Sequence, residues 1–228
     1  NTKTEINYWS FKKKIKKLIK INKINPFDVQ LVSISSVVPN MTDIVKLVVN
    51  DLLCKKILFL DPEKTKSIKI TIDDQSEIGS DLVANAIAAR SLYKSNIIIV
   101  DFGTALTFTA ISNNGEIIGV SIFPGLKTAI NSLYKNTAKL PKVSLEIPKK
   151  VIAKNTVESI QSGIFFGYSG LVKEILSKMK NELSGETKVI ATGGMSKVIS
   201  SLERYFNDII PTLTLDGLLL FSKEITSK

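Results

Sequence analysis

The sequence predicts an α/β chain in two halves, and three observations carry that reading. Strand-like apolar runs alternate with stretches of helical periodicity along most of the chain. The run Asn96 to Asp101 (NIIIVD) stays apolar until it ends in a carboxylate, as a strand covered on both faces does. Two such runs lead into glycine-bearing turns, at Asp101 to Thr104 and at Ala191 to Gly194. A boundary near Ser95 divides the chain into an N-terminal half, residues 1–94, and a C-terminal half, residues 95–228.

The elements follow in order. A helix begins after Glu5, with Tyr8, Phe11, Ile15, Leu18 and Ile19 on one stripe, and ends before the breaker pair Asn25-Pro26. Val29 to Val38 is rich in β-branched residues and stops at Pro39, which predicts a strand. A helix over Met41 to Leu53 comes next, then a short strand over Lys56 to Leu60. Ile68, Ile70 and Ile72 alternate with polar residues like a half-exposed strand. Asp81 to Tyr93 is an alanine-rich helix. After the buried strand, Phe102 to Ile111 and Glu116 to Phe123 form a hairpin around Asn113-Asn114-Gly115. Leu126 to Lys135 is helical, Thr156 to Leu183 forms one long helix or two abutting ones, and Lys188 to Ala191 is a strand. A helix over Met195 to Phe206, a short strand at Ile209-Ile210 and a terminal helix over Thr214 to Ile225 complete the expectation.

Composition narrows the chemistry. The 228 residues are 44% hydrophobic and 23% charged, which suits a soluble globular protein. No stretch approaches the roughly 20 apolar residues of a membrane span, and no charged-then-apolar leader is present, so a cytoplasmic protein is expected. A lone cysteine, Cys54, excludes an internal disulfide and a cysteine-based metal site. Histidine is absent, which excludes Ser-His-Asp and Cys-His catalysis and His-ligated zinc. Carboxylates, hydroxyls, lysines and bound cations must do any catalysis. The net charge of +10 invites a nucleic-acid partner. Lys12, Lys13, Lys14, Lys16, Lys17, Lys20 and Lys23, however, form the solvated back of the first helix, so none is expected.

Three constellations point to phosphate chemistry. In Asp101 to Thr107 (DFGTALT), a carboxylate at a strand end stands where ligands gather in α/β folds. Gly103 lets a phosphate oxygen approach the main chain, and Thr104 and Thr107 add hydroxyl donors. The plainer alternative is a turn in which Asp101 caps local amides. In Ala191 to Gly194 (ATGG), Gly193 and Gly194 let a flat nucleotide lie against the backbone, and the start of the following helix favours anions. An ordinary strand-to-helix turn is the alternative. In Glu77 to Ala86 (EIGSDLVANA), Gly79 and Asp81 stand at a helix start. Asp81 is suited to take a proton from an attacking hydroxyl as general base, or is simply the helix cap. No GxxxxGK[ST] loop is present, and the first glycine turn feeds a hairpin, which disfavours a Rossmann unit.

These stretches, with SSVVP at 35–39, PGLKTAINSLYKNTAKLP at 124–141, KNTVESIQSGIFFGY at 154–168 and LTLDGL at 213–218, resemble the type III pantothenate kinases along nearly the whole chain. The resemblance implies two actin-like (ribonuclease H-like) domains with mixed sheets. It implies transfer of the ATP γ-phosphoryl to pantothenate, with Mg2+ accompanying ATP and potassium or ammonium as activating cation. Asp81 matches the proton acceptor, and Gly79, Ser80, Asp81 and Leu82 match the substrate loop. Asp101 matches the monovalent-cation ligand, and Thr104 an ATP contact. Thr156 matches a substrate contact supplied across a homodimer, with the helix after Asn155 at the interface.

Three departures stand out. The family opens with a strand bearing D-x-G-N-T, whereas Asn1 to Tyr8 resembles the segment after that hairpin, so the first strands are expected to be missing. Leu82 replaces a usual arginine, a loss of about 1.5–3 kcal/mol if that residue grips a carboxylate. Ile72 replaces a frequent tyrosine. The sequence therefore leaves two other readings open: a related kinase with another acceptor, or a non-catalytic nucleotide-binding regulator.

Overall fold

The computed structural model describes residues 7–53 and 55–227. Asn1 to Ile6, most of the segment read as following a phosphate hairpin, lie outside the described residues, as does Cys54. Helix α1 (Tyr8–Ile21) is capped by Asn7, whose side chain accepts from the Ser10 amide, and buries none of its residues fully. It lies against α2 (Pro39–Leu53), where the Tyr8 hydroxyl and Lys12 both meet the Asp51 carboxylate. Strands β1 (Val32–Ile34) and β2 (Ile57–Phe59) pair in parallel as a sheet of their own.

The larger sheet is mixed, in the order β3-β6-β5-β4-β7-β8. Its strands are β3 (Lys69–Ile70), β4 (Asn96–Phe102), β5 (Ala105–Ile111), β6 (Glu116–Pro124), β7 (Thr187–Thr192) and β8 (Asp208–Ile209). β4 to β6 form an antiparallel meander, while β7 runs parallel to β4 and β3 parallel to β6. Successive strand residues point to opposite faces, and both faces are covered. Ile97, Ile99, Ile111, Ile117 and Ile190 pack under α3 (Ser80–Leu92) and α6 (Leu213–Thr226). Ile98, Val100, Phe102, Phe108 and Val189 pack under α5 (Thr156–Glu182), a single uninterrupted helix. That double burial explains why NIIIVD is apolar without alternation. Helix α4 (Leu126–Asn136) meets α5 through Ile130 and Ile160.

Helices α3 and α6 cross closely. A Cβ built on Gly217 would lie 1.8 Å from the Ala84 carbonyl oxygen, so only glycine allows this approach. The expected helix over Met195 to Phe206 is not α-helical. Turns follow Gly194, and a short 3-10 helix spans Ser200–Tyr205. Ile199 and Leu202 are buried and Tyr205 packs beside them, a three-residue spacing that matches the 3-10 repeat.

Candidate active site

Asp101 lies one residue before the end of β4, in register with Thr107 of β5 and Thr192 of β7. Residues paired across strands share a face, so these three belong to the face covered by α3 and α6. One carboxylate oxygen is committed: Asn85 Nδ2 donates to Asp101 Oδ2 at 2.9 Å. Asn85 Oδ1 in turn accepts from Thr214 Oγ1 at 2.7 Å. The other oxygen faces glycine. A Cβ on Gly193 would sit 2.4 Å from Asp101 Oδ1, and one on Gly103 would sit 3.4 Å away. Gly193 also has φ +90°, a conformation that disfavours any side chain. On either side, Thr107 Oγ1 and Thr192 Oγ1 are buried without a hydrogen-bond partner. Buried hydroxyls are ordinarily satisfied, so these two, in register with Asp101, have coordinating capacity left over.

Asp81 stands in the first turn of α3, where the helix dipole favours a negative charge. It is not the cap: Gly79 holds that position, without a side-chain capping bond. A Cβ there would meet Asp81 Oδ1 at 2.4 Å, so Gly79 makes room for the carboxylate. Asp81 and Asn85 are four residues apart and therefore on one helix face. Because Asn85 reaches Asp101, that face directs Asp81 toward the same end of the sheet. Charge agrees with geometry. Burial pushes the Asp101 carboxyl above the ordinary carboxylate range, the Asn85 amide pulls it back, and the Asp81 charge pushes it up again. Asp81, from α3, is thus near enough for its charge to act on Asp101 of β4, while its own Oδ1 accepts from the Leu82 amide at 3.0 Å.

The other anticipated residues divide. Gly103 and Thr104 form the exposed hairpin tip, anchored where Gly125 N and Thr128 Oγ1 donate to the Thr104 carbonyl at 3.0 and 2.7 Å. Gly193 lies against Asp101, and Gly194 follows with open space around its Cα. No α-helix begins there, so the anticipated helix-start contribution to anion binding at this turn is withdrawn. The Ser80 hydroxyl is engaged with Ser35 Oγ at 2.7 Å. Leu82 is buried in the core and Ile72 packs against the same cluster, so both apolar departures are absorbed by the interior. A cleft of about 450 Å³ borders this loop, lined in part by Ser36, Asp61, Gln75, Glu77, Gly79 and Ser80. Thr156 stands elsewhere. Asn155 caps α5 by accepting from the Glu158 amide at 2.9 Å, and Thr156 lines an apolar groove of about 290 Å³ with Leu133, Leu140, Ile160 and Ile164.

Sequence reasoning missed Asn85, Thr192 and Thr214. Asn85 was legible only as a polar residue inside an apolar helix, and its bond to Thr214 joins positions 129 apart. Among the described residues no three acidic, cysteine or histidine side chains gather closely enough to hold a metal on their own. No helix among the described residues is long and apolar enough to cross a membrane.

A mixed sheet covered by helices on both faces, with a meander at its centre, has the actin-like ATPase and sugar-kinase fold. Solved structures agree on the fold. A Campylobacter jejuni protein of the Baf family, named as a transcriptional activator, superposes with TM-score 0.57 at 21% identity, covering 94% of this chain and 89% of that one. An acetate kinase from Entamoeba histolytica gives TM-score 0.56 at 11% identity over 98% of this chain and 85% of its own. The family model for type III pantothenate kinase matches residues 2–178. A type III pantothenate kinase from Anaeromyxobacter sp. (strain Fw109-5) is 38% identical over 206 residues, which are 90% of this chain and 81% of that protein. The chain belongs to the type III pantothenate kinase family, ATP-dependent kinases of coenzyme A biosynthesis.

Proposed function

We propose that the chain phosphorylates pantothenate to 4'-phosphopantothenate at the site shared by Asp81 and Asp101. The Asn85–Asp101 hydrogen bond, which ties α3 to the end of β4 four residues from Asp81, is the observation that supports the reading. Asp81 accepts the proton of the pantothenate primary hydroxyl as its oxygen attacks the γ-phosphorus. The bond from that phosphorus to the β,γ-bridging oxygen breaks, and ADP departs. Gly79, Ser80 and Asp81 border the acceptor, while Leu82, expected with them, belongs to the core. Gly103, Thr104 and Thr107 face the phosphates, and Gly193 and Gly194 border the nucleotide. Such chemistry is mainly positioning and charge neutralisation.

The oxygen donors gathered at Asp101 suit a monovalent cation. Asp101 Oδ1 and the unpartnered Thr107 and Thr192 hydroxyls, in register on three neighbouring strands, would supply them. Potassium or ammonium held there supplies positive charge near the transferring phosphoryl group. Asp101 must be ionised to hold it, and the Asn85 amide favours that form.

A homodimer through α5 completes the reading. The groove at Thr156 is apolar, and Val151 and Ile152 beside it are exposed at 62% and 84%. A second copy would cover them and carry Thr156 to its partner's acceptor site. This work belongs in the cytoplasm. Coupled-assay measurement of ADP formation by the full-length protein tests the proposal. Turnover should require pantothenate and rise with potassium or ammonium. Activity that prefers another hydroxylated acceptor, or none at all, would overturn it.

A further inference from the structure

Resting on the cation reading above, we propose that Asn85, oriented by Thr214, is a positioning residue that turns the Asp101 carboxylate so that Oδ1 is left free of Asn85, in register with the Thr107 and Thr192 hydroxyls. Three observations converge on it. Asn85 is fully buried at 0% exposure in the middle of α3, among alanines and aliphatic residues. A buried amide is costly unless both ends are satisfied, and both are: Nδ2 by Asp101 and Oδ1 by Thr214.

The direction of the amide follows from chemistry. An ionised carboxylate only accepts, so Nδ2 must face Asp101 and the carbonyl end must face Thr214. The threonine hydroxyl donates to that carbonyl and holds the amide in this sense. With Oδ2 fixed, the carboxylate plane is fixed, and Oδ1 is left between Gly193 and Gly103, flanked in register by the unpartnered hydroxyls of Thr107 and Thr192.

The packing of α6 on α3 delivers Thr214. It lies three residues before Gly217 and so on the same side of α6. The Gly217–Ala84 approach brings the two helices together one residue from Asn85. The terminal helix, far from β4 in sequence, thereby reaches the Asp101 carboxylate through a single amide. Asn85 and Thr214 touch neither acceptor nor nucleotide in this account, so they act through Asp101.

The test compares Thr214→Val, Thr214→Ser and Asn85→Ala with wild type in two readouts. The first is the melting temperature as a function of potassium concentration without substrates. The second is the potassium concentration giving half-maximal ADP formation. Thr214→Val should need several-fold more potassium in both, with a smaller change in limiting turnover; its potassium-free melting temperature should fall because Asn85 Oδ1 loses its donor, so each variant's potassium response is read from its own potassium-free baseline. Thr214→Ser should restore the wild-type response, and Asn85→Ala should abolish potassium-induced stabilisation. A Thr214→Val protein with unchanged potassium dependence, or a Thr214→Ser protein as impaired as Thr214→Val, overturns the proposal. Wild type whose melting temperature ignores potassium overturns it too. The melting arm needs no turnover, so failure of the kinase reading, seen as absent ADP formation, is distinguishable from failure of this one.

Discussion

Two regions of the molecule shut out water to different degrees. Around β1 and β2 every strand residue is half-buried, α1 buries none fully, and in the Tyr8–Lys12–Asp51 contact Lys12 is half-buried while Asp51 is exposed. At the end of β4 the strand is buried on both faces up to Asp101, and α3 is buried continuously from Leu82 to Ala89. Buried hydroxyls without a partner occur in both, at Ser33 in β1 and at Thr107 and Thr192, but only the latter two stand in register with a buried carboxylate. In the first region charge serves solubility and loose docking. In the second, water is excluded and each polar atom is worth more, favourably if paired and unfavourably if not.

Substitutions should expose that contrast, beginning with the chemistry. Asp81→Asn should lower kcat by about 10²–10⁴-fold, the range for losing a general base. ATP affinity, measured by calorimetry, should be nearly unchanged. In the core below the site, Ile98→Ala should cost about 2–5 kcal/mol in denaturant unfolding, whereas Ile15→Ala on α1 should cost about 1 kcal/mol or less. Gly217→Ala should destabilise by about 1–3 kcal/mol through overpacking against Ala84. It should also weaken the potassium response, because it drives Thr214 away from Asn85. Lys12→Ala, which removes an exposed contact, should leave the melting temperature close to wild type.

A pH series sharpens the same comparison with a smaller effect. Asp101 has a folded pKa raised above the ordinary carboxylate value, mainly by burial. Its stabilising contribution is therefore complete below the unfolded pKa and is lost as pH rises through the folded value. At neutral pH, without potassium or ammonium, the ionised group is a burden. Asp101→Asn should then melt above wild type at pH 7, and the gap should shrink as pH falls toward about 4, near the unfolded carboxylate value. At exposed Asp51 the sign reverses. Hydrogen bonds from Lys12 and Tyr8 hold its carboxyl low, so its contribution is present above the ordinary value and is lost as pH falls through the folded one.

Much of this was legible in the residues. NIIIVD announced a buried strand, NNG the hairpin turn, and Gly79-Ser80-Asp81 the start of a helix bearing a carboxylate. Local patterns could not show what depends on distant partners. The register that sets Thr107 and Thr192 beside Asp101 joins three strands. Gly217 reads as a helix weakener until Ala84 is seen against it. Met195 to Phe206 carries apolar spacings compatible with both 3 and 3.6 residues per turn, and packing chose the tighter one. Asp81 is not the N-cap, a position Gly79 holds two residues earlier, yet its Oδ1 accepts from the Leu82 amide at 3.0 Å, so it serves the helix start as the plainer alternative held.

The central claim is that Asp81 and Asp101 belong to one catalytic unit. A double-mutant cycle in kcat/KM for pantothenate, using Asp81→Asn, Asp101→Asn and the pair, measures that directly. The account predicts strong non-additivity, with the double variant little worse than the more damaged single one. Losses that simply multiply would show two carboxylates acting independently and would contradict it.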